Sequence, residues 1–240
     1  MYPTYRDKYL PAMSLDQVDA IKGKAQIPVI LPTGAIEQHG PHLPVGVDSL
    51  MGQAWLDYAI PLLPADLDFY VAPPVTFGKS NEHAGFPGTI AISKTTLRQQ
   101  ILAVARQLHS WEFRRLLILN THGGNIQTVR YTLWEIEDIL DMETGILRPK
   151  GEMELSEQES VYGFHAGEAE TAWMLEILDG QKIKMDLAAC EFPARVEDPG
   201  ELRPEGAPAI YSWITSDLSR TGIMGDATRA TPEKGQRWIT

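Results

Sequence analysis

A single α/β domain with a mainly parallel β-sheet and helices on both faces is the fold class predicted by this chain of 240 residues. Three observations predict it. Short apolar runs alternate with stretches of helical periodicity, the order of repeated β-loop-α units. One of those runs, residues 116–119, is continuously apolar, as expected of a strand covered on both faces. No repeat, low-complexity tract or linker divides the chain, so residues 1–240 read as one domain.

The first strand is residues 27–31, Ile-Pro-Val-Ile-Leu. A helix follows over 48–60, with Leu50, Trp55, Leu56 and Ile60 available for burial. Residues 69–75 read as a second strand broken by Pro73-Pro74, which have no amide to donate. Ser93 suits the N-cap of a helix reaching about residue 111, with Leu97, Ile101, Val104, Leu108 and Trp111 at helical spacing. After the run 116–119, a helix carries Ile126, Val129, Leu133, Ile136 and Leu140 on one stripe. Another helix starts near Glu168 and ends at Asp179-Gly180. Residues 233–240 read as a helix that stops in mid-course, consistent with a trimmed chain.

The net charge of −11 argues against a nucleic-acid partner, which needs a basic surface. The single cysteine, Cys190, excludes a disulfide framework within the chain and suits a cytoplasmic setting. The first residues lack the apolar core of a signal peptide, and no run is long enough to span a bilayer.

Sheets of this class bind ligands beyond the carboxyl ends of their strands, and the polar clusters lie there. The run 27–31 leads into Thr33-Gly34-Ala35-Ile36-Glu37-Gln38-His39-Gly40-Pro41-His42-Leu43-Pro44-Val45, with Asp48 three residues on. Positions i and i+2 of a strand point to one side, so Glu37 and His39 leaving a strand end can face one ion. Asp48, at the N-terminus of the next helix, can aim its carboxylate back at the same place. Taken singly, these residues have ordinary readings as a loop acid, a loop histidine and an N-cap.

Asn120-Thr121-His122-Gly123-Gly124-Asn125 follows the buried strand. His122 is a candidate metal ligand, and the amides of Gly123 and Gly124, at the next helix's N-terminus, are candidate oxyanion or anion donors. In His165-Ala166-Gly167-Glu168-Ala169-Glu170-Thr171, two acids fall in the first turn of a helix, where the dipole favours them. Two residues apart, they point in different directions, so at most one is a ligand. Glu170 shares its side with Met174 and Ile177 and is the inward one. His165, in the preceding loop, suits proton transfer, with Glu168 beside it in the catalytic group. Asn81-Glu82-His83-Ala84-Gly85-Phe86-Pro87-Gly88-Thr89 is a polar, glycine-rich loop whose Glu82 and His83 can line a substrate entrance, as can Gly123, Gly124 and Asn125.

A mononuclear zinc site needs three protein ligands and a water. Glu37, His39, Asp48, His122 and Glu170 make five, which suits two divalent ions with Asp48 as the bridge and a water held between them as hydroxide. The mixed nitrogen and oxygen set fits zinc, manganese or iron.

These segments resemble the creatininase (creatinine amidohydrolase) family: residues 34–44, 81–89, 120–125 and 165–171, with a weaker match at Gly225-Asp226-Ala227 and Glu233-Lys234-Gly235. The resemblance implies an α/β fold, a binuclear metal centre acting on cyclic or linear amides, and a homo-oligomer, commonly a hexamer. It places metal ligands at Glu37, His39, Asp48 and His122 and a catalytic histidine at His165. Creatininase proper has a glutamate ligand two residues after the histidine matching His122; here that position is Gly124. Creatinine hydrolysis is therefore not expected, and Glu170 is expected to supply the carboxylate, as in the His-Gly-Gly-Asn branch.

The expected activity is metal-dependent hydrolysis of a C–N bond in a cyclic amide or formamide, with a metal-activated hydroxide as nucleophile and His165 passing a proton to the leaving nitrogen. The alternatives are hydrolysis of a C–C bond in a cyclic ketone of the oxidised inositol type, or a non-catalytic binding protein on the same fold. A small-molecule substrate is expected, with residues 81–89 and 191–208 as covers for a pocket completed by a neighbouring subunit.

Overall fold

The computed structural model describes residues 3–148, 151–193, 202–203, 209–210 and 212–239. In chain order the elements are α1 (Leu15–Ala20), β1 (Pro28–Thr33), α2 (Val47–Ala59), β2 (Tyr70–Val71), α3 (Lys94–Ser110), β3 (Arg115–Asn120), α4 (Ile126–Leu140), β4 (Glu143–Leu147), α5 (Glu157–Tyr162), α6 (Glu168–Ile177), β5 (Cys190–Glu191), β6 (Leu202–Arg203), β7 (Ala209–Ile210), α7 (Thr215–Leu218), β8 (Gly225–Asp226) and α8 (Pro232–Ile239). They fall into two compact units. The first comprises Met1–Ala35, Asp48–Lys79 and Ile90–Pro149; the second comprises Ile36–Val47, Ser80–Thr89 and Lys150–Thr240.

The first unit holds a four-stranded parallel sheet of order β2-β1-β3-β4. Side chains alternate along each strand, and both faces are covered. Val29 and Leu31 of β1 join Leu116 and Ile118 of β3 against Leu97, Ile101 and Leu108 of α3 and Val129, Leu133 and Ile136 of α4. On the opposite face, Ile30, Val71 and Leu119 pack on Leu56 and Trp55 of α2 and on Tyr5. The α/β class with a mainly parallel, helix-flanked sheet is therefore present as predicted.

The boundaries differ in instructive ways. β1 runs two residues beyond the predicted strand, through Pro32 and Thr33, because a proline lacks a donor but keeps its carbonyl: Val75 N donates to Pro32 O at 2.9 Å. The expected strand 69–75 pairs with β1 only at Tyr70 and Val71, with further bridges from Tyr9 to Val71 and, across Pro73-Pro74, from Thr33 to Val75. β4 was not predicted; Glu-Thr-Gly-Ile-Leu is short, contains a glycine and pairs along β3. Ser93 caps α3 as expected, accepting from Thr96 N at 3.0 Å.

The second unit is loop-rich. α6 packs on α8. Gly235 permits the approach, since a Cβ there would strike Ala172 O. Two short pairings, β5 with β8 and β6 with β7, complete it. Residues 194–201 and 204–208 of the expected cover segment lie outside the described residues.

Candidate metal centre

The predicted donors fall into two groups, one in each unit. In the first unit, Asp48 sits in the first turn of α2, at the helix N-terminus expected from the sequence. Its backbone carbonyl accepts from Thr121 Oγ1 at 2.7 Å. Its carboxylate, buried, lies 3.2 Å from His122 Nδ1. The other nitrogen, Nε2, is 3.0 Å from Lys79 O. A carbonyl only accepts, so Nε2 carries a proton, and in the neutral ring Nδ1 turns its lone pair to Asp48. Asn125 ties this region together: Nδ2 donates to Gly34 O at 3.0 Å and Oδ1 accepts from Lys79 N at 2.9 Å. Gly123 is exposed and Gly124 half-buried in the turn leading into α4.

In the second unit, Glu37 and His39 lie four and six residues past the end of β1, in a loop rather than at a strand end. The loop is closed by Glu37 N donating to Val45 O at 2.9 Å. Both side chains are buried. His39 Nδ1 donates to Glu37 O at 3.1 Å, so Nε2 is the acceptor nitrogen. It faces Glu170 Oε2 at 3.6 Å and Glu37 Oε1 at 3.9 Å. Glu170 is held by Ala166 N, which donates to Oε2 at 2.6 Å.

His165 repeats the pattern. Nε2 donates to Gln38 O at 2.7 Å, and Nδ1 lies 3.7 Å from Glu37 Oε1. Its ring is stacked between those of His39 and His83, at centroid distances of 4.3 and 4.1 Å. His83 is buried within this group, with Nε2 3.5 Å from Glu37 Oε1; the sequence had assigned it to a substrate entrance. Glu82 is half-buried, and its carbonyl accepts from Thr215 Oγ1 at 2.9 Å. Two sets, Glu37-His83-His165 and His39-His165-Glu170, each bring ligand atoms within 4.8 Å of one another.

Glu168 and Glu170 part company as two residues of a first turn should. The fully buried Glu168 carboxylate pairs with Lys234 Nζ and lies 3.5 Å from Arg229 Nε. This explains the weak C-terminal match, because Lys234 and Gly235 both serve the seating of α8 on α6.

Two buried residues of the first motif escaped sequence reasoning. Gln38 was flanked by two predicted ligands, so a signal existed. Its Nε2 reaches Gly222 O at 3.1 Å and His83 Nδ1 at 2.9 Å, and Oε1 accepts from Gly40 N at 2.9 Å. His42 pairs through Nε2 with Thr171 Oγ1 at 2.9 Å; burial, then the neighbouring His39, lowers its pKa to about 4, so the ring is neutral.

Residues 11–240 match the model of the creatininase family, described as creatinine amidohydrolase. The mycofactocin precursor peptide peptidase of Mycolicibacterium smegmatis (strain ATCC 700084 / mc(2)155) is 32% identical over 211 residues, covering 87% of this chain and 78% of that protein. The creatinine amidohydrolase of Pseudomonas putida is 33% identical over 231 residues, covering 87% and 82%. Among solved structures, a manganese creatininase superimposes with a TM-score of 0.73 at 22% identity, covering 97% of this chain and 93% of that one. With the family matched over nearly its whole length and the fold shared, this chain belongs to the creatininase family of metal-dependent hydrolases.

Proposed function

We propose that this protein hydrolyses a carbon–nitrogen bond of an amide, using two divalent ions of the zinc, manganese or iron kind. One observation carries the proposal. His39 and His122 each donate one ring N–H to a backbone carbonyl and turn the other nitrogen toward a carboxylate. A lone pair facing a carboxylate oxygen is repelled unless a cation lies between them, and a carbonyl fixing the far nitrogen is the usual support of a metal-bound histidine. The donor set therefore fits a metal. Asp48 and His122 are the proposed holders in one unit; Glu37, His39 and Glu170 are those in the other.

Divalent ions held there supply a water activated near neutral pH and a polarised carbonyl. The protein's own residues do the rest. His165, its Nε2–H held by Gln38 O, presents Nδ1 to take a proton from the attacking water and pass it to the leaving nitrogen. The amides of Gly123 and Gly124 are the proposed donors to the developing oxyanion. Glu82 and His83 are the proposed substrate contacts of loop 81–89, and Asn125 holds the turn that presents those amides. Glu168, expected from the sequence in the catalytic group, is instead proposed to brace α6 through its buried pairing with Lys234. The substrate class is a cyclic amide, a formamide or the amide bond of a short peptide; the peptide is supported by the peptidase relative. A cytoplasmic location is part of the proposal and rests on the single cysteine.

Elemental analysis after purification without chelator, followed by assay on lactams, formamides, short peptides, cyclic diketones and creatinine, tests this. Bound divalent metal with metal-dependent amide cleavage is expected, and creatinine should be a poor substrate because Gly124 offers no carboxylate. Well under one equivalent of metal with no cleavage would overturn the reading.

A further inference from the structure

The donors occupy only part of the second unit's buried polar groups. Glu159 of α5 is another, 1% exposed, and the chemistry above does not use it. Among the described residues its carboxylate is held by backbone amides: Oε1 accepts from Glu168 N at 2.7 Å, and Oε2 accepts from Asp226 N at 2.8 Å. Three glycines wall it in. A Cβ on Gly163 or Gly167 would collide with the carboxylate, and one on Gly225 would come within 2.8 Å of Oε1. Gly163 N also donates to Glu159 O at 2.8 Å.

Gly163 and Gly167 are the two feet of a short arch, and His165 is its apex. Opposite, the arch is fastened to Met224, with His165 N donating to Met224 O at 3.3 Å and Met224 N to His165 O at 2.8 Å. Asp226, two residues on, is the second amide that Glu159 holds. One carboxylate therefore fixes both sides between which His165 is suspended. Ala166, next to the apex, is kept at φ 53°, a conformation that a non-glycine residue adopts only where its surroundings impose it.

A buried carboxylate is a costly group with which to join two amides. Burial pushes its carboxyl up, against the pull of the two amides. Three glycines are given over to its approach. We propose that Glu159 is a positioning residue for His165, holding the arch so that Nε2 stays on Gln38 O and Nδ1 faces Glu37.

The proposal rests on the proton-transfer reading of His165, but its test does not require activity. Glu159→Gln keeps the shape and sets an NH2 against one of the two amides; Glu159→Asp keeps the charge and is too short to reach both. The full-length protein, labelled with 15N-histidine, is compared with both variants by long-range 1H–15N correlation, with His165→Asn assigning the signal. Wild type is expected to show His165 with the proton on Nε2. At least one variant that retains cooperative melting and wild-type metal content should show averaging between the two tautomers. With a substrate from the assay panel, that variant should lose about tenfold or more in kcat at little-changed KM. An unchanged His165 pattern in the folded variants would overturn the proposal and make Glu159 merely structural. An altered pattern without any amide hydrolysis would uphold the positioning and overturn the hydrolase reading.

Discussion

Glu168 and Glu170 are two positions apart, and their surroundings separate them. Glu170 meets His39, while Glu168 meets Lys234 and Arg229. Glu170→Gln is expected to weaken metal retention about tenfold or more, read by elemental analysis after dialysis. Glu168→Gln should leave metal bound but destabilise by about 3 kcal/mol, since it strands cations around a buried position; metal loss without a fall in melting temperature would reverse the two roles. Asp48→Asn should lower bound metal by about one equivalent while the fold survives, read by elemental analysis. Full occupancy would remove Asp48 from the proposed holders. His165→Ala should keep its metal and lose roughly a hundredfold in turnover, and metal loss would make it a ligand instead. The donors were legible because carboxylates and imidazoles at short spacing after strands have few other uses. Gln38 and Glu159 were not, for different reasons. An amide beside two ligands looks like filler, and Glu159 sits in an acidic stretch with Glu152, Glu154 and Glu157 that reads as solvated surface.

Helices with an unambiguous stripe were read well from sequence. α3 and α4 begin where a capping serine or a glycine turn places them, and their predicted apolar positions reach the core, with Trp111 at 42% and Ile126 at 41% exposed the exceptions. Strands were harder, because the sheet's pairing supplies what the local sequence lacks. β1 accommodates two prolines through its carbonyls, β2 is reduced to two residues by a third and fourth, and β4 exists because β3 offers it an edge. Two changes test the weight of these elements. Ile118→Ala, in the fully buried centre of β3, should cost about 2–5 kcal/mol in denaturant unfolding; a loss well under 1 kcal/mol would show that the site collapses around the gap. Ser93→Ala should cost about 1 kcal/mol through the lost cap of α3.

For the whole molecule, acid sensitivity and assembly can be argued from single features. The Glu191 carboxylate accepts from Arg220 N at 2.6 Å, Thr221 N at 3.1 Å, Ser219 Oγ at 3.0 Å and the Thr221 hydroxyl. Burial raises its carboxyl, but these bonds outweigh it and hold the group below the ordinary value. A depressed folded pKa means that this stability is present above the ordinary carboxylate pKa and is lost as pH falls through the depressed one. Glu191→Gln should therefore flatten the acid limb of melting temperature against pH, and an unaltered limb would contradict the assignment. The homo-oligomer, most simply a hexamer, remains our proposal from the family resemblance; light scattering at micromolar concentration should find it, and a fully active monomer would remove it. The two units also have a consequence in their order along the chain. The backbone leaves the first unit for Ile36–Val47 and returns, leaves for Ser80–Thr89 and returns, and crosses finally near residue 150. Any single cut thus separates at least one unit from part of itself. Two halves of this polypeptide can regain the complete set of donors only by reassociating, as the halves of a complementation reporter do. Conversely, the two short excursions can be exchanged between relatives as cassettes, carrying Glu37, His39 and His83 with them and leaving the sheet's own residues unchanged.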